Sequence, residues 1–296
     1  MKKLLISLLL MPCLLLASVE HACWYITWTS WDHPVPESVD VINLFVGEIS
    51  LDSQGNPTVG GFDTFTDKQI KDFAASCKES SIGLKISLGG GGGKYDHCWD
   101  VLTDDNAEAF GQMLASYCKS QGLLGVDFDY EVFTSPEQET LVGRCILAFK
   151  QSSPNLQASL CTNAGFSSWQ KGVQQIVDTT VSGGKCLLDR LYIMSYYDSL
   201  ASEEGYVLQW AEWMKKTYSF SPSQITVGID SFDAHAYKID DFSKWAASQG
   251  FSTGYWAWNP ADPSNSNTQT ETILKAYQAQ AVTDEMTASE CKSLLW

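Results

Sequence analysis

Short runs rich in β-branched and aromatic residues alternate with amphipathic helical stretches along almost the whole chain, and this alternation constrains the fold more than any other feature. Residues 23–28, 39–45, 83–88, 125–130, 157–161, 190–196, 225–229 and 254–258 read as strands. Between them, Thr66 is placed to cap a helix carrying Ile70, Phe73 and Cys77, and Asp104 or Asp105 one carrying Phe110, Met113 and Leu114. Ser135-Pro136 opens another, with Leu141, Val142, Cys145, Ile146 and Phe149 at helical spacing. Further helical patterns include 175–177, 207–214, 242–247 and 273–281, whereas 29–38 is too short and proline-rich for a full helix. Eight alternations predict an α/β chain folded as a single (β/α)8 TIM barrel over residues 19–296, with its first helix short or missing. A doubly wound open sheet also alternates, but it usually stops at five to seven strands and often brings a glycine-rich phosphate loop.

The fourth predicted strand carries unusual chemistry. Residues 123–131 read Leu-Leu-Gly-Val-Asp-Phe-Asp-Tyr-Glu. On a strand, Asp127, Asp129 and Glu131 share one face while Val126, Phe128 and Tyr130 share the other. Successive carboxylates then lie about 7 Å apart, close enough for leaning side chains to share protons. Three acids on a strand this apolar are costly unless they act. A calcium loop would interleave the acids with glycine and Asx turns, and Val, Phe and Tyr stand there instead. Glu131 closes the strand, and barrel active sites lie at the carboxyl ends of strands.

Four segments carry a family resemblance. Leu124-Gly125-Val126-Asp127-Phe128-Asp129-Tyr130-Glu131 resembles the strand-four signature of the family 18 glycoside hydrolases, DGxDxDxE. Ser87-Leu88-Gly89-Gly90 resembles the family's strand-three SxGG, Met194-Ser195-Tyr196-Tyr197-Asp198 its strand-six segment ending in Tyr-Asp, and Gly254-Tyr255-Trp256-Ala257-Trp258 its strand-eight GxMxW. The resemblance runs from about residue 23 to about residue 262 and is strongest to small chitinases without an inserted α+β subdomain. It implies that Glu131 donates a proton to the glycosidic oxygen and that Asp129 orients the substrate's 2-acetamido group, which acts as the nucleophile. Asp127 tunes the pair from below, Tyr197 donates to the amide oxygen, and Asp198 helps hold that amide. Trp258 floors the sugar ring, and Met194, Tyr196, Gly89 and Gly90 line the substrate site. The strand-six register leaves both tyrosines open. Leu124 departs from the signature's first aspartate.

The implied activity is retaining hydrolysis of β-1,4 bonds at N-acetylglucosamine in chitin or chito-oligosaccharides. The alternatives are an endo-β-N-acetylglucosaminidase acting on N-glycans, or a non-catalytic sugar-binding barrel, which typically loses the terminal Glu or the preceding Asp. The expected partner is therefore an N-acetylglucosamine polysaccharide or oligosaccharide.

The remaining composition sets the surroundings. MKKLLISLLLMPCLLLAS, residues 1–18, has the form of a secretory signal peptide and predicts a secreted protein, extracellular or periplasmic. The eight cysteines after Cys13 predict disulfides in such a compartment; Cys77 and Cys118 on neighbouring helices are one conceivable pair, though eight cysteines allow 105 connectivities. A net charge of -16 argues against nucleic acid and anionic membranes as partners. No cysteine or histidine spacing matches a metal site, so neither metal nor cofactor is expected, and the barrel is expected to be a monomer. The Gly89–Gly93 run lacks the GK[ST] ending of a phosphate loop. Among 11 tryptophans, Trp28, Trp31 and Trp256 are either sugar platforms or core, and Asp230 and Asp233 are placed to line the cleft.

Overall fold

The computed structural model describes residues 19–26, 39–60, 66–229, 239–257 and Lys275. Eight strands form a closed ring: β1 His21–Ile26, β2 Val41–Gly47, β3 Gly83–Gly89, β4 Gly125–Tyr130, β5 Gln157–Asn163, β6 Arg190–Met194, β7 Ile225–Ile229 and β8 Ser252–Ala257. Every pairing in the ring is parallel, and β1 closes against β8. Helices α1 Asp67–Glu79, α2 Ala107–Gln121, α3 Pro136–Ser152, α4 Phe166–Thr179, α5 Leu200–Tyr218 and α6 Ile239–Ser248 lie between the strands. This is the (β/α)8 barrel that the alternation predicts. The connection between β1 and β2, where the first helix was expected to be short or missing, lies outside the described residues, as do 1–18 and, Lys275 apart, the region of the last helix.

Local chemistry fixes the helix starts. At α1 Thr66 and Gln69 form a reciprocal capping box, and at α3 Ser135 accepts from the Gln138 N–H with Pro136 just inside the helix. Helix α2 departs from expectation. Its cap position is Asn106, because Asp104 is drawn across to α3, where it pairs with Arg144 at 2.5 Å.

Parity on the strands separates two buried layers. Val126, Phe128 and Tyr130 face outward from β4 into the layer under the helices, where Phe128 meets Phe149 at 6.0 Å edge to face and Trp99 at 6.2 Å. Burial of each such ring contributes roughly 2–3 kcal/mol. The odd-numbered positions of β4 face inward, into the barrel. Leu124, just before β4, packs on the interior cluster and covers Gly83, where an added Cβ would lie 2.4 Å from its Cδ2.

The expected disulfides are not formed between described cysteines. Cys77, Cys98, Cys118, Cys145, Cys161 and Cys186 are buried free thiols. Cys77 and Cys118 sit on the core-facing stripes of their helices, and the Cys118 thiol points at the Gly125 carbonyl of β4, 3.6 Å away, instead of toward α1. They behave as small apolar fillers. Burial pushes both thiols up to about 12. Among the described residues no helix is long and apolar enough to cross a membrane.

Candidate active site

The inward face of β4 forms a column of acids rising toward the carboxyl rim. Asp127, the lowest, is fully buried and well satisfied: Ser159 Oγ donates to Oδ1 at 2.8 Å, Ser87 Oγ to Oδ2 at 2.8 Å, and the Trp24 indole to Oδ2 at 3.2 Å. The strand register makes this possible by setting Asp127 between Ser87 of β3 and Ser159 of β5. Burial still raises its pKa, opposed chiefly by the Lys85 ammonium and these hydroxyl donors.

Asp129 is also fully buried, and neither carboxyl oxygen makes a well-formed hydrogen bond to a described residue. Glu131 and the Cys161 thiol stand close enough to interact with it electrostatically. Burial, then the like charges of Glu131 and Asp127, hold its pKa well above the usual carboxylate value. Glu131 stands at the rim, partly exposed, and burial raises its pKa as well. The three carboxyls therefore titrate as one unit that retains a proton at a pH where isolated acids have lost theirs.

The glycine loop after β3 clasps this column. Gly90 N–H donates to the Asp129 carbonyl at 2.9 Å, and the Trp99 indole donates to the same oxygen at 3.2 Å. Gly89 has φ +110°, and a Cβ there would lie 2.1 Å from that carbonyl. Only glycine permits both the conformation and the approach. A Cβ on Gly90 would stand 3.7 Å from Asp129 Oδ2, and one on Gly91 3.1 Å from Glu131 Cβ.

The strand-six residues separate by parity. Tyr192, Met194 and Tyr196 are buried in the barrel interior, and Tyr196 is close enough to feel Glu131 and Asp129. Tyr197 is 60% exposed at the rim, its ring 4.6 Å from that of Tyr196, and Glu131 acts on it too. Asp198 is exposed and turned toward α5: the Tyr197 and Asp198 N–H groups donate to Glu203, and the Asp198 carboxylate accepts from Tyr206 at 3.3 Å. The structure thus brings together Asp127, Asp129, Glu131, Tyr196, Tyr197, Gly89 and Gly90, with Met194 on the interior face, and leaves Asp198 facing a helix. Trp258, Trp28, Trp31, Asp230 and Asp233 lie outside the described residues. For Trp256 the backbone places it beside Trp24 in the β1–β8 pairing.

Sequence reasoning passed over two features. Lys85 lies inside the barrel beneath Asp127, on the same face of β3 as Ser87, a parity visible in the sequence. Phe133, two residues past Glu131, is 68% exposed and stacks on Trp169 of α4 with ring centroids 4.1 Å apart. Among the described residues no group of His, Cys, Asp or Glu is arranged to hold a metal ion.

No protein-family model matches the sequence, and no curated protein matches it significantly. Solved structures do match. A chitinase from Pseudoalteromonas aurantia aligns with 87% of this chain and 99% of its own at TM-score 0.65 and 19% identity. A chitinase from Cycas revoluta, solved in complex with (GlcNAc)3, aligns with 87% and 99% at TM-score 0.63 and 12% identity. The fold is that of the family 18 chitinases. A chitinase-like agglutinin from Robinia pseudoacacia aligns as well, over 86% and 99% at TM-score 0.63 and 13% identity. One barrel therefore carries both hydrolases and an agglutinin, and the chemistry of this chain has to be argued from its own acid column.

Proposed function

We propose that this chain is an exported glycoside hydrolase that cleaves β-1,4 bonds at N-acetylglucosamine by a retaining, substrate-assisted mechanism. The observation that carries the reading is Glu131 at the rim above two fully buried aspartates, with burial and like charge favouring the protonated column. A proton kept on Glu131 is available to the leaving glycosidic oxygen. Asp129, whose carboxyl oxygens make no well-formed hydrogen bond to a described residue and which lies beside Glu131, is placed to accept from the substrate's acetamido N–H, so that the amide oxygen attacks the anomeric carbon. Tyr196 or Tyr197 donates to that oxygen and holds it in line with the anomeric carbon. Water, giving its proton to Glu131, then attacks the anomeric carbon from the face the leaving group vacated and breaks its bond to the amide oxygen, so two inversions give retention. The Phe133–Trp169 stack supplies an exposed flat surface for a neighbouring sugar.

The agglutinin's fold gives a second reading, a sugar-binding barrel without catalysis. The presence of both Asp129 and Glu131 favours the enzyme. An N-glycan substrate would use the same chemistry, so the assay includes both classes. Purified protein and Glu131→Gln are compared on chromogenic chito-oligosaccharides and on a high-mannose glycoprotein. The expected result is cleavage of the chito-oligosaccharides by the wild type and a loss of about 10²–10⁴-fold in the variant. Binding without cleavage of either substrate by the wild type would replace the enzyme reading with the lectin one. Export rests on the leader-like residues 1–18, and the amino-terminal sequence of the mature protein, expected to begin near residue 18 or 19, tests it.

A further inference from the structure

Beneath the acid column lies a cation that the proposed chemistry does not use. Lys85 of β3 is fully buried inside the barrel. An ammonium in that position is costly unless it is paired and hydrogen-bonded. Its Nζ donates to Ser159 Oγ at 3.2 Å and to Tyr192 OH at 2.5 Å. Ser159 donates in turn to Asp127 at 2.8 Å, and Tyr192 to Glu20 at 2.8 Å. One hydroxyl thus relays the ammonium to each of two carboxylates. Arg190 completes the set through an ion pair with Glu20 at 2.9 Å, with both side chains buried. With Asp127 ionised this barrel floor holds two cations and two anions. With Asp127 protonated, an ionised Lys85 loses one of the negative charges that offset its burial.

We infer that Lys85 is a positioning residue: it holds Asp127 as its ionised counter-charge and so leaves the column's proton on Asp129 and Glu131, at the end that meets substrate. Each group's surroundings agree. Lys85 is faced by Glu20, Asp127, Arg190, Asp189 and Tyr192; burial works against its charge, and Glu20 and Asp127 support it. Asp127 has burial, which raises its pKa, against its anion, and Lys85, the Ser159 and Ser87 hydroxyls and the Trp24 indole in favour of it. Asp129 has burial, Glu131 and Asp127 against its anion, with the Cys161 thiol as a weak opposing neighbour. Glu131 has Asp129 and the Gly91 backbone in favour of its anion, and burial, Asp127 and Asp96 against it. Tyr196 and Tyr197 complete the upper surroundings. The proton therefore settles above Asp127.

The catalytic consequence rests on the hydrolase reading; the ionisation of Asp127 does not. The test is a carboxyl-carbon NMR titration of protein labelled with carboxyl-13C aspartate, comparing wild type with Lys85→Met and using Asp127→Asn to assign the resonance. Asp127 is expected to stay at its ionised shift into mildly acidic solution in the wild type, and to titrate at least about one pH unit higher in Lys85→Met. The pH–rate profile of Lys85→Met should show a lowered plateau, because Asp127 now competes for the proton, and a basic limb moved to higher pH. Should Lys85→Met fold poorly, Lys85→Met/Asp127→Asn removes both charges, and its Tm should recover toward wild type relative to either single variant. An Asp127 titration indifferent to Lys85, or a double variant destabilised by the full sum of the singles, overturns the inference. A wild type that cleaves no chito-oligosaccharide yet shows the Asp127 shift overturns the proposed function and leaves this inference standing.

Discussion

Replacing Asp129 by asparagine should stabilise the protein at neutral pH while ending catalysis. Asp129 is fully buried between two other acids, its carboxyl oxygens make no well-formed hydrogen bond, and burial followed by the charges of Glu131 and Asp127 raises its pKa well above the usual value. In the unfolded chain the same group titrates at about 3.9. The folded state thus binds the proton more tightly, so the group's stabilising contribution is full below the unfolded pKa and is lost as pH rises through the raised folded one. Between those two values the folded protein holds one proton more than the unfolded chain, and stability falls by about 1.4 kcal/mol per pH unit. Asparagine has the same shape and no charge to bury. Urea unfolding of wild type and Asp129→Asn, repeated from about pH 4 to pH 8, reads this directly. The two stabilities should lie close together at the acid end and diverge with rising pH, the variant becoming the more stable, each pH unit of titration adding about 1.4 kcal/mol. Because the acids titrate together, the midpoint belongs to the column and not to one residue. Curves that run parallel over the whole range would refute the claim that Asp129 is a charge held at a cost for function.

Two further outcomes concern binding and transition-state contacts. Tyr196→Phe should lower kcat by about 10²-fold, the order of loss when a reacting group is no longer held in position, and Tyr197→Phe should cost much less, since Tyr196 faces the acids from inside the barrel; the reverse order would assign the donor to Tyr197. Phe133→Ala should change stability by no more than about 0.5 kcal/mol because the ring is exposed, yet weaken chitotetraose binding roughly threefold to tenfold by calorimetry; an unchanged Kd would remove the Phe133–Trp169 platform from the substrate path.

The barrel was legible because strand periodicity and glycine boundaries coincide: Gly125–Tyr130 and Ile225–Ile229 begin and end where the pattern says. It was less legible where tertiary partners intervene. The sixth strand stops at Met194, two residues before the pattern does, and Ser195 turns its hydroxyl onto the Gly228 carbonyl at 2.9 Å. Asp104 looked like a cap and became an ion-pair partner, since Arg144 is invisible as a neighbour until α3 packs on α2. The acid column itself follows from residue spacing. Its lower neighbour Lys85 shares the parity of Ser87, but a lysine is normally expected at a surface, and its partners Glu20, Ser159 and Tyr192 come from three distant segments. The cysteine count pointed to bridges. Position on the core-facing helix stripes was the better guide, since a buried thiol on its own helix packs as readily as an alanine or valine.

The ion pair at Glu20 also sets a rule for how this ring closes. Glu20 accepts from Thr253 N–H through its carbonyl at 3.0 Å, donates its own N–H to Ser252 Oγ at 2.8 Å, and engages Tyr192 and Arg190 through its carboxylate. It joins the front of the first strand to the start of the last, 232 residues away. From β2 to β8 each strand can dock on its predecessor as it leaves the ribosome or the translocation pore, but one edge of β1 stays open until β8 arrives, and closing so long a loop comes late. Glu20 is the latch on that seam. A chain trimmed by even a few residues beyond the expected leader would lose it and leave buried Arg190 with the Ser223 carbonyl and the Ser252 hydroxyl but not the Glu20 carboxylate, so the position of the front end bears on whether the barrel shuts at all.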